Sequence, residues 1–211
     1  MKISEGLTEE GIVVGNAFDK YQSRNPIVKT LMKGFESALA DLVTIANPAS
    51  IHEVGCGEGF HTLNWKLSGF QVSGSDFSSQ VIELAKENAA ARNVSSDIFD
   101  VRSVYDLRPK EDSADLIVCC EVLEHLEFPE KALQAISRVS CSNIILSVPR
   151  EPIWRTMNAV RGKYVGDLGN TPGHIQHWSK KSFIQLVSSY FQIREIRSPI
   201  PWTMLLCSKN I

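Results

Sequence analysis

The run Ser50-Ile51-His52-Glu53-Val54 leads straight into Gly55-Cys56-Gly57-Glu58-Gly59, and no other segment limits the possible folds as much. A short run with apolar ends, broken by a glycine cluster, reads as a strand entering a tight turn, with a helix over residues 60–67 behind it. The rhythm then repeats. Strands are expected at 71–75, near 98–101, at 116–120 and at 143–148, with helices over 79–92 and 129–139 among them. Strands alternating with helices of this length build parallel sheets, so the expected class is α/β.

Ahead of this core, Ile27, Leu31, Phe35, Leu39 and Leu42 recur at helical spacing, which predicts a helix from Pro26 to Ala46 stopped by Asn47-Pro48. Behind it, Ser179 is placed to cap a helix running through Ser189, and strands follow at 191–196 and 204–208. Residues 150–178 lose the rhythm and read as an insertion over the sheet edge where ligands bind. The 211 residues suit one domain: a helical cap (1–48), a core (49–149), a lid (150–178) and a closing helix with two strands (179–211).

A chain with 43% hydrophobic and 22% charged residues is an ordinary folded protein, and a net charge of -2 weighs against a nucleic-acid surface. No stretch is long and apolar enough to span a bilayer, and residues 1–14 lack the basic start and apolar run of a secretory signal. Cys56, Cys119, Cys120, Cys141 and Cys207 form no CxxC pair. Reduced core thiols and a cytoplasmic address are therefore expected.

The glycine turn sits where open α/β sheets bind ligands, and its glycines let a ligand approach the main chain closely. Its spacing is Gly-x-Gly-x-Gly followed by Phe60, without the third glycine of a dinucleotide fingerprint. Glu53 would repel a pyrophosphate but suits a ligand with an ammonium and a sulfonium centre. Asp76 ends the second strand about twenty residues on, where a carboxylate accepts hydrogen bonds from both ribose hydroxyls. An NAD-dependent oxidoreductase is disfavoured by the same spacing.

Glu53-x-Gly55-x-Gly57-x-Gly59, Asp76 and the run Asp115 to Leu126 resemble the motifs of class I methyltransferases, in particular the type 11 and ubiquinone-pathway O-methyltransferase group. The resemblance covers residues 50–148. It implies a Rossmann-like, mostly parallel seven-stranded sheet with the last strand antiparallel, helices on both faces, and S-adenosylmethionine as cofactor with S-adenosylhomocysteine (SAH) as product. It also implies donor contacts from Glu53, Gly55, Cys56, Gly57, Gly59, Asp76, Phe77 and Glu121. Ser103 stands where many relatives carry an aspartate facing the adenine amino group, so the adenine contact falls to Ser103 or to the backbone of Val104.

Methyl transfer from a sulfonium needs an aligned acceptor and a dry site rather than a covalent nucleophile. On a helix Glu121, Glu124 and His125 would share one face, and two carboxylates with an imidazole suit Mg²⁺, Mn²⁺, Fe²⁺ or Zn²⁺. The pattern resembles ubiquinone-pathway O-methyltransferases and terminal-ribose RNA methyltransferases, in which a later histidine completes the site; His174 and His177 are the candidates. Without a metal, His125, His174 or His177 is the candidate general base. Arg150, Trp154, Arg155, Arg161, Lys163 and Tyr164 are placed to hold an anionic or ring-bearing acceptor, or Trp154, Met157 and Val160 simply pack the lid. Phe18, Tyr21 and Arg24 are placed to cover the donor pocket. The expected function is methylation of oxygen on a small-molecule acceptor, with a 2'-O-methyltransferase of RNA termini or an inactive donor-binding partner subunit as alternatives.

Overall fold

A computed structural model describes residues 1–9, 12–16, 19–139, 142–160, 162 and 164–210. Phe18, Cys141, Arg161 and Lys163 lie outside the described residues.

The chain opens with a short hairpin, β1 (Thr8–Glu9) and β2 (Ile12–Val13), that the sequence rhythm does not announce. Then come α1 (Pro26–Ala46), β3 (Ser50–Val54), α2 (Phe60–Leu67), β4 (Gln71–Asp76), α3 (Ser79–Ala90), β5 (Phe99–Val101), β6 (Leu116–Cys120), α4 (Pro129–Val139) and β7 (Asn143–Pro149). The insertion carries α5 (Ile153–Val160), and α6 (Lys180–Ser188), β8 (Phe191–Arg197) and β9 (Trp202–Lys209) close the fold. Local chemistry sets the boundaries. Asn25 caps α1 by accepting from Ile27 N, with Pro26 in the first turn where its missing N–H costs nothing. Asn47 ends α1 in the left-handed conformation, and Ser78 and Ser179 cap α3 and α6.

The main sheet has the order β5-β4-β3-β6-β7-β9-β8. Neighbours from β5 to β7 are parallel, and β9 runs antiparallel to both β7 and β8. Successive strands step outward on one side of β3 and then on the other, so the crevice at the carboxyl ends of β3 and β6 is the switch point where such sheets receive ligands.

Burial on both faces follows the two-residue period of the strands. Leu116, Val118, Ile145, Met204 and Leu206 meet α1 through Phe35, Leu39 and Leu42. Ile117, Cys119, Ile144, Leu146, Leu205 and Cys207 point the other way, against Leu133 and Ile136 of α4 and Phe183 and Val187 of α6. Beside β4 and β5, a smaller cluster joins Leu63 of α2 to Ile82, Ala85 and Ala89 of α3 and Phe99. Cys56, Cys119, Cys120 and Cys207 are free thiols. Among the described residues no helix is long and apolar enough to cross a membrane.

Candidate active site

The glycine turn is built by two different demands. Gly55 N and Cys56 N donate to the Ser75 carbonyl at 2.7 and 3.0 Å, which folds the end of β3 back over β4. Gly55 has φ +73°, and a Cβ there would stand 2.2 Å from Val122 Cγ2; Gly59 has φ +83°, and a Cβ would stand 2.6 Å from Phe99 Cζ. Those two glycines are required by backbone and packing. A Cβ on Gly57 would meet nothing within 4 Å, so this glycine faces the open chamber.

Asp76 lies beside it. Its Oδ2 accepts from Gly57 N and its Oδ1 from Ser78 N, both at 3.1 Å, which fixes the carboxylate at the rim of the turn. Burial raises its pKa, against the pull of those backbone donors. Glu53 is buried behind the turn and accepts from Thr62 N at 3.0 Å and from the Thr62 hydroxyl. Its burial pushes the carboxyl up to about 8, despite the bonds from Thr62. Cys56 lines the chamber with its thiol pushed well up by burial, and Phe77 is half exposed on the rim. Ser103 caps the turn Val104–Asp106 by accepting from Tyr105 N, and both Ser103 and Val104 line the chamber.

On the other side of the crevice, Glu121, Glu124 and His125 do not share a helical face. Glu121 has φ +59°, and only the single 3-10 turn Leu123–His125 follows it. The left-handed residue aims Glu121 back at the sheet, where it accepts from Ser147 Oγ at 2.8 Å and Trp202 Nε1 at 2.6 Å. Burial lifts its carboxyl to about 7. Glu124, His125 and His174 converge instead, with one ligand atom of each lying within 4.8 Å of the others. His177 stands apart, 3.7 Å from Glu151 through Nδ1, and does not line the chamber.

That cluster has an unusual member. Glu124 is 1% exposed, and neither carboxylate oxygen has a hydrogen-bond partner among the described residues. Burial, and then the neighbouring Glu121, hold its proton on well above the ordinary range. His125 Nδ1 bonds the Gly173 carbonyl at 2.9 Å, so it carries the proton and leaves Nε2 with a lone pair. Burial lowers both imidazoles, His174 to about 3 with help from His125 and His177, and both are neutral near pH 7.

The lid positions His174. Ile175 N and Gln176 N donate to the Glu124 carbonyl at 2.9 and 3.0 Å, and Gln176 Nε2 donates to the Leu126 carbonyl at 3.1 Å. Trp154 of α5 stacks on His174 with ring centroids 5.7 Å apart and is held by its Nε1 bond to Thr171 Oγ1 at 2.9 Å. Val160 is 83% exposed, so it takes no part in packing the lid. Arg155 Nε donates to the Leu168 carbonyl, and Tyr164 lines the chamber whereas Arg150 and Arg24 do not.

Glycine turn and cluster open on one cavity of about 2080 Å³. A small-molecule site is usually about 300–1,000 Å³, so this space admits two molecules side by side. An arc of rings runs along it: Tyr21 stacked on Phe60 at 3.6 Å, then His61, Phe35, Trp202, Trp154 and His174, each contacting the next. Tyr21 also bonds His61 Nε2 at 3.3 Å.

Two features escaped sequence reasoning. Glu58, inside the glycine motif, is buried and accepts from Ser4 N, Asn16 N and Asn16 Nδ2, which ties Ser4 and Asn16 beside the crevice. Glu9 accepts from Ser79 N, Ser79 Oγ and the Ser78 hydroxyl at the start of α3. His61 is the other: only its place next to Phe60 at the head of α2 hinted at it.

Sheet order, antiparallel last strand and crevice together define the fold of the class I, Rossmann-like S-adenosylmethionine-dependent methyltransferases. Residues 52–146 match the methyltransferase domain family. Over 92 residues the chain is 30% identical to a ubiquinone biosynthesis O-methyltransferase of Xanthomonas oryzae pv. oryzae, covering 43% of this chain and 38% of that protein. Over 105 residues it is 32% identical to an ajmaline N-methyltransferase of Rauvolfia serpentina, covering 47% and 36%. The chain thus matches under two-fifths of the length of either relative. Among solved structures, the magnesium protoporphyrin IX methyltransferase of Synechocystis PCC 6803 with bound SAH superposes with a TM-score of 0.68 at 18% identity, over 92% of this chain and 94% of that one.

Proposed function

We propose that this protein transfers a methyl group from S-adenosylmethionine to an oxygen of a small-molecule acceptor. The observation that carries the reading is one chamber with a ribose-type carboxylate and an open glycine at one end and, at the other, a buried carboxyl without a hydrogen-bond partner among the described residues, close to two neutral imidazoles.

In this reading Asp76 accepts from the ribose hydroxyls while Gly57 lets the donor lie against the main chain. Glu53 meets the donor's ammonium, and Cys56, Phe77, Ser103 and Val104 border the nucleoside. Glu121, held by Trp202 and Ser147, faces the space between donor and acceptor. The aromatic arc aligns the acceptor and excludes water, which is most of what a displacement at a sulfonium carbon requires.

The cluster fits a divalent cation. A buried carboxylate without partners is costly, and His125 shows the backbone-anchored Nδ1 typical of metal-binding imidazoles. Glu124, His125 and His174 would hold the ion; Glu121 and His177 are committed elsewhere. Once bound, it would lower the pKa of the acceptor hydroxyl. Without a cation, His125 Nε2 is the chain's own proton acceptor, and His174 confines the hydroxyl from the lid side.

Calorimetry with SAH, alone and with Mg²⁺, Mn²⁺ or Zn²⁺, tests both halves. SAH binding by the wild type, weakened by Asp76→Ala, supports the donor assignment. Divalent-ion binding left unchanged by Glu124→Ala would remove the cation.

A further inference from the structure

Beside the chamber lies a second space, a groove of about 420 Å³ along the start of α1; the two share Lys20, Tyr21 and Met32. Lys20, Lys29 and Lys33 line the groove, and among the described residues Glu36 is the one carboxylate lining it. Lys29 and Lys33 are exposed and stand four residues apart on α1, a spacing at which like charges destabilise a helix. At four-residue spacing before and after the pair stand Asn25 and Ser37, and the acid on that face is Glu36, three residues after Lys33. Lys2 and Lys86 each hold a glutamate, but among the described residues Lys20, Lys29 and Lys33 make no ion pair. Burial raises the Glu36 carboxyl against the attraction of Lys20, so a single acid faces the three lysines of the groove among the described residues.

The chamber beyond has the opposite character. Past Tyr21 it is lined by the aromatic arc and by Glu53, Glu121 and Glu124. The other cations lining it, Arg102, Arg108, Lys131 and Arg138, belong to the wall made by residues 101–108 and α4. From the groove along the ring arc to the far cluster the lining is therefore lysine, then aromatic, then Glu124 with His125 and His174. We infer that the acceptor carries an anionic group, a phosphate or carboxylate, joined through an apolar body to the oxygen that is methylated. Lys29 and Lys33 hold the anion with Lys20 beside it, Tyr21 and Met32 bear the apolar body, and the oxygen reaches Glu124, His125 and His174. This rests on the methyltransferase reading above and narrows its acceptor.

The test uses the full chain saturated with SAH, titrated calorimetrically with dodecyl phosphate below its micelle concentration, with inorganic phosphate and with uncharged dodecyl maltoside. Dodecyl phosphate is expected to bind with 1:1 stoichiometry, at least about tenfold more tightly than either of the others. The double variant Lys29→Glu/Lys33→Glu should lose that advantage and keep its SAH affinity. If charge reversal unfolds the chain, Lys29→Gln/Lys33→Gln carries the same comparison. Equal affinity of wild type and variant for dodecyl phosphate overturns the inference, as does equal affinity of the wild type for the charged and uncharged amphiphiles. Inorganic phosphate binding as tightly as dodecyl phosphate overturns it too, because the apolar link then contributes nothing. Absence of SAH binding in the same experiment would sink the methyltransferase reading instead, so the two failures are told apart.

Discussion

His125 Nδ1 bonds the carbonyl of Gly173 at 2.9 Å, which locks the loop after β6 to the lid across 48 residues of sequence. Gly173 has φ +87°, and a Cβ there would stand 3.3 Å from that same nitrogen. Gly173→Ala should therefore tilt the imidazole and strain the turn, costing about 1–3 kcal/mol of stability. Urea unfolding measures the cost, and a loss below about 0.5 kcal/mol would show that the lid does not hold the ring.

Asp76→Ala should weaken SAH binding about 10- to 100-fold, the worth of hydrogen bonds from a ligand to a charged group. Asp76→Asn keeps the shape and one acceptor oxygen and should fall between. Calorimetry at fixed ionic strength reads both, and wild-type affinity in the alanine variant would mean the ribose lies elsewhere.

Glu124→Gln should leave the metal-free protein as stable as wild type, or more so, because it replaces a buried carboxyl that has no partner among the described residues. The same change should abolish the stabilisation by divalent ions seen in thermal melts. Ion affinity of the wild type should rise with pH, since burial keeps a proton on Glu124 that a cation must displace. Pipetting the same titration at pH 6 and 8 would expose a flat profile, which this account does not allow.

Glu53 and Glu121 keep their protons up to about 8 and about 7, against 4.5 for an exposed glutamate. The folded chain thus binds more protons than the unfolded one between those values, and stability falls as pH rises through them. Buried His61 and His174, lowered to about 3, work in the opposite sense, but only below 6.5, where the unfolded imidazoles charge. From pH 6.5 to 8 the carboxylates act alone. The unfolding free energy of the ligand-free protein should drop over that interval by at most about 1.4 kcal/mol per pH unit for each group, and its melting temperature should fall with it. Glu53→Gln should flatten the slope, and an unaltered slope in that variant would clear Glu53 of the effect.

Gly55→Ala should be worse than Gly57→Ala for stability, by roughly 1–3 kcal/mol, because only the former drives a methyl group into Val122. Gly57→Ala should instead lower SAH affinity, since its Cβ projects into open space. A reversed ranking in paired melts and titrations would invert the division of labour in the turn.

Where structure follows from neighbours in sequence, the reading succeeded. Pro26 and Asn47 bracket α1, Ser179 caps α6, and apolar runs locate β3 and β6, because propensity and burial agree there. Glu121 was misplaced because its left-handed backbone is imposed by the crossing to Ser147 and Trp202, partners 26 and 81 residues away. Spacing in Gly173-His174-Ile175-Gln176-His177 gave no means of choosing a histidine; the backbone bonds of Ile175 and Gln176 to Glu124 turn His174 inward. Residues 1–9 and 12–16 carry no periodic pattern, since single side chains such as Glu58 and Glu9, rather than an apolar face, hold Ser4, Glu9 and Asn16 in place.

Those ties give the two chain ends unequal standing. Lys2 N bonds Asn88 Oδ1 at 2.7 Å, and Asn88 Nδ2 bonds the carbonyls of Lys2 and Glu58, so the first residues are moored beside the cover of the crevice. Ser208 pairs with Asn143, at the opposite rim of the sheet. A load attached at Lys2 would tug on that cover, while one attached at Ser208 would hang clear of it.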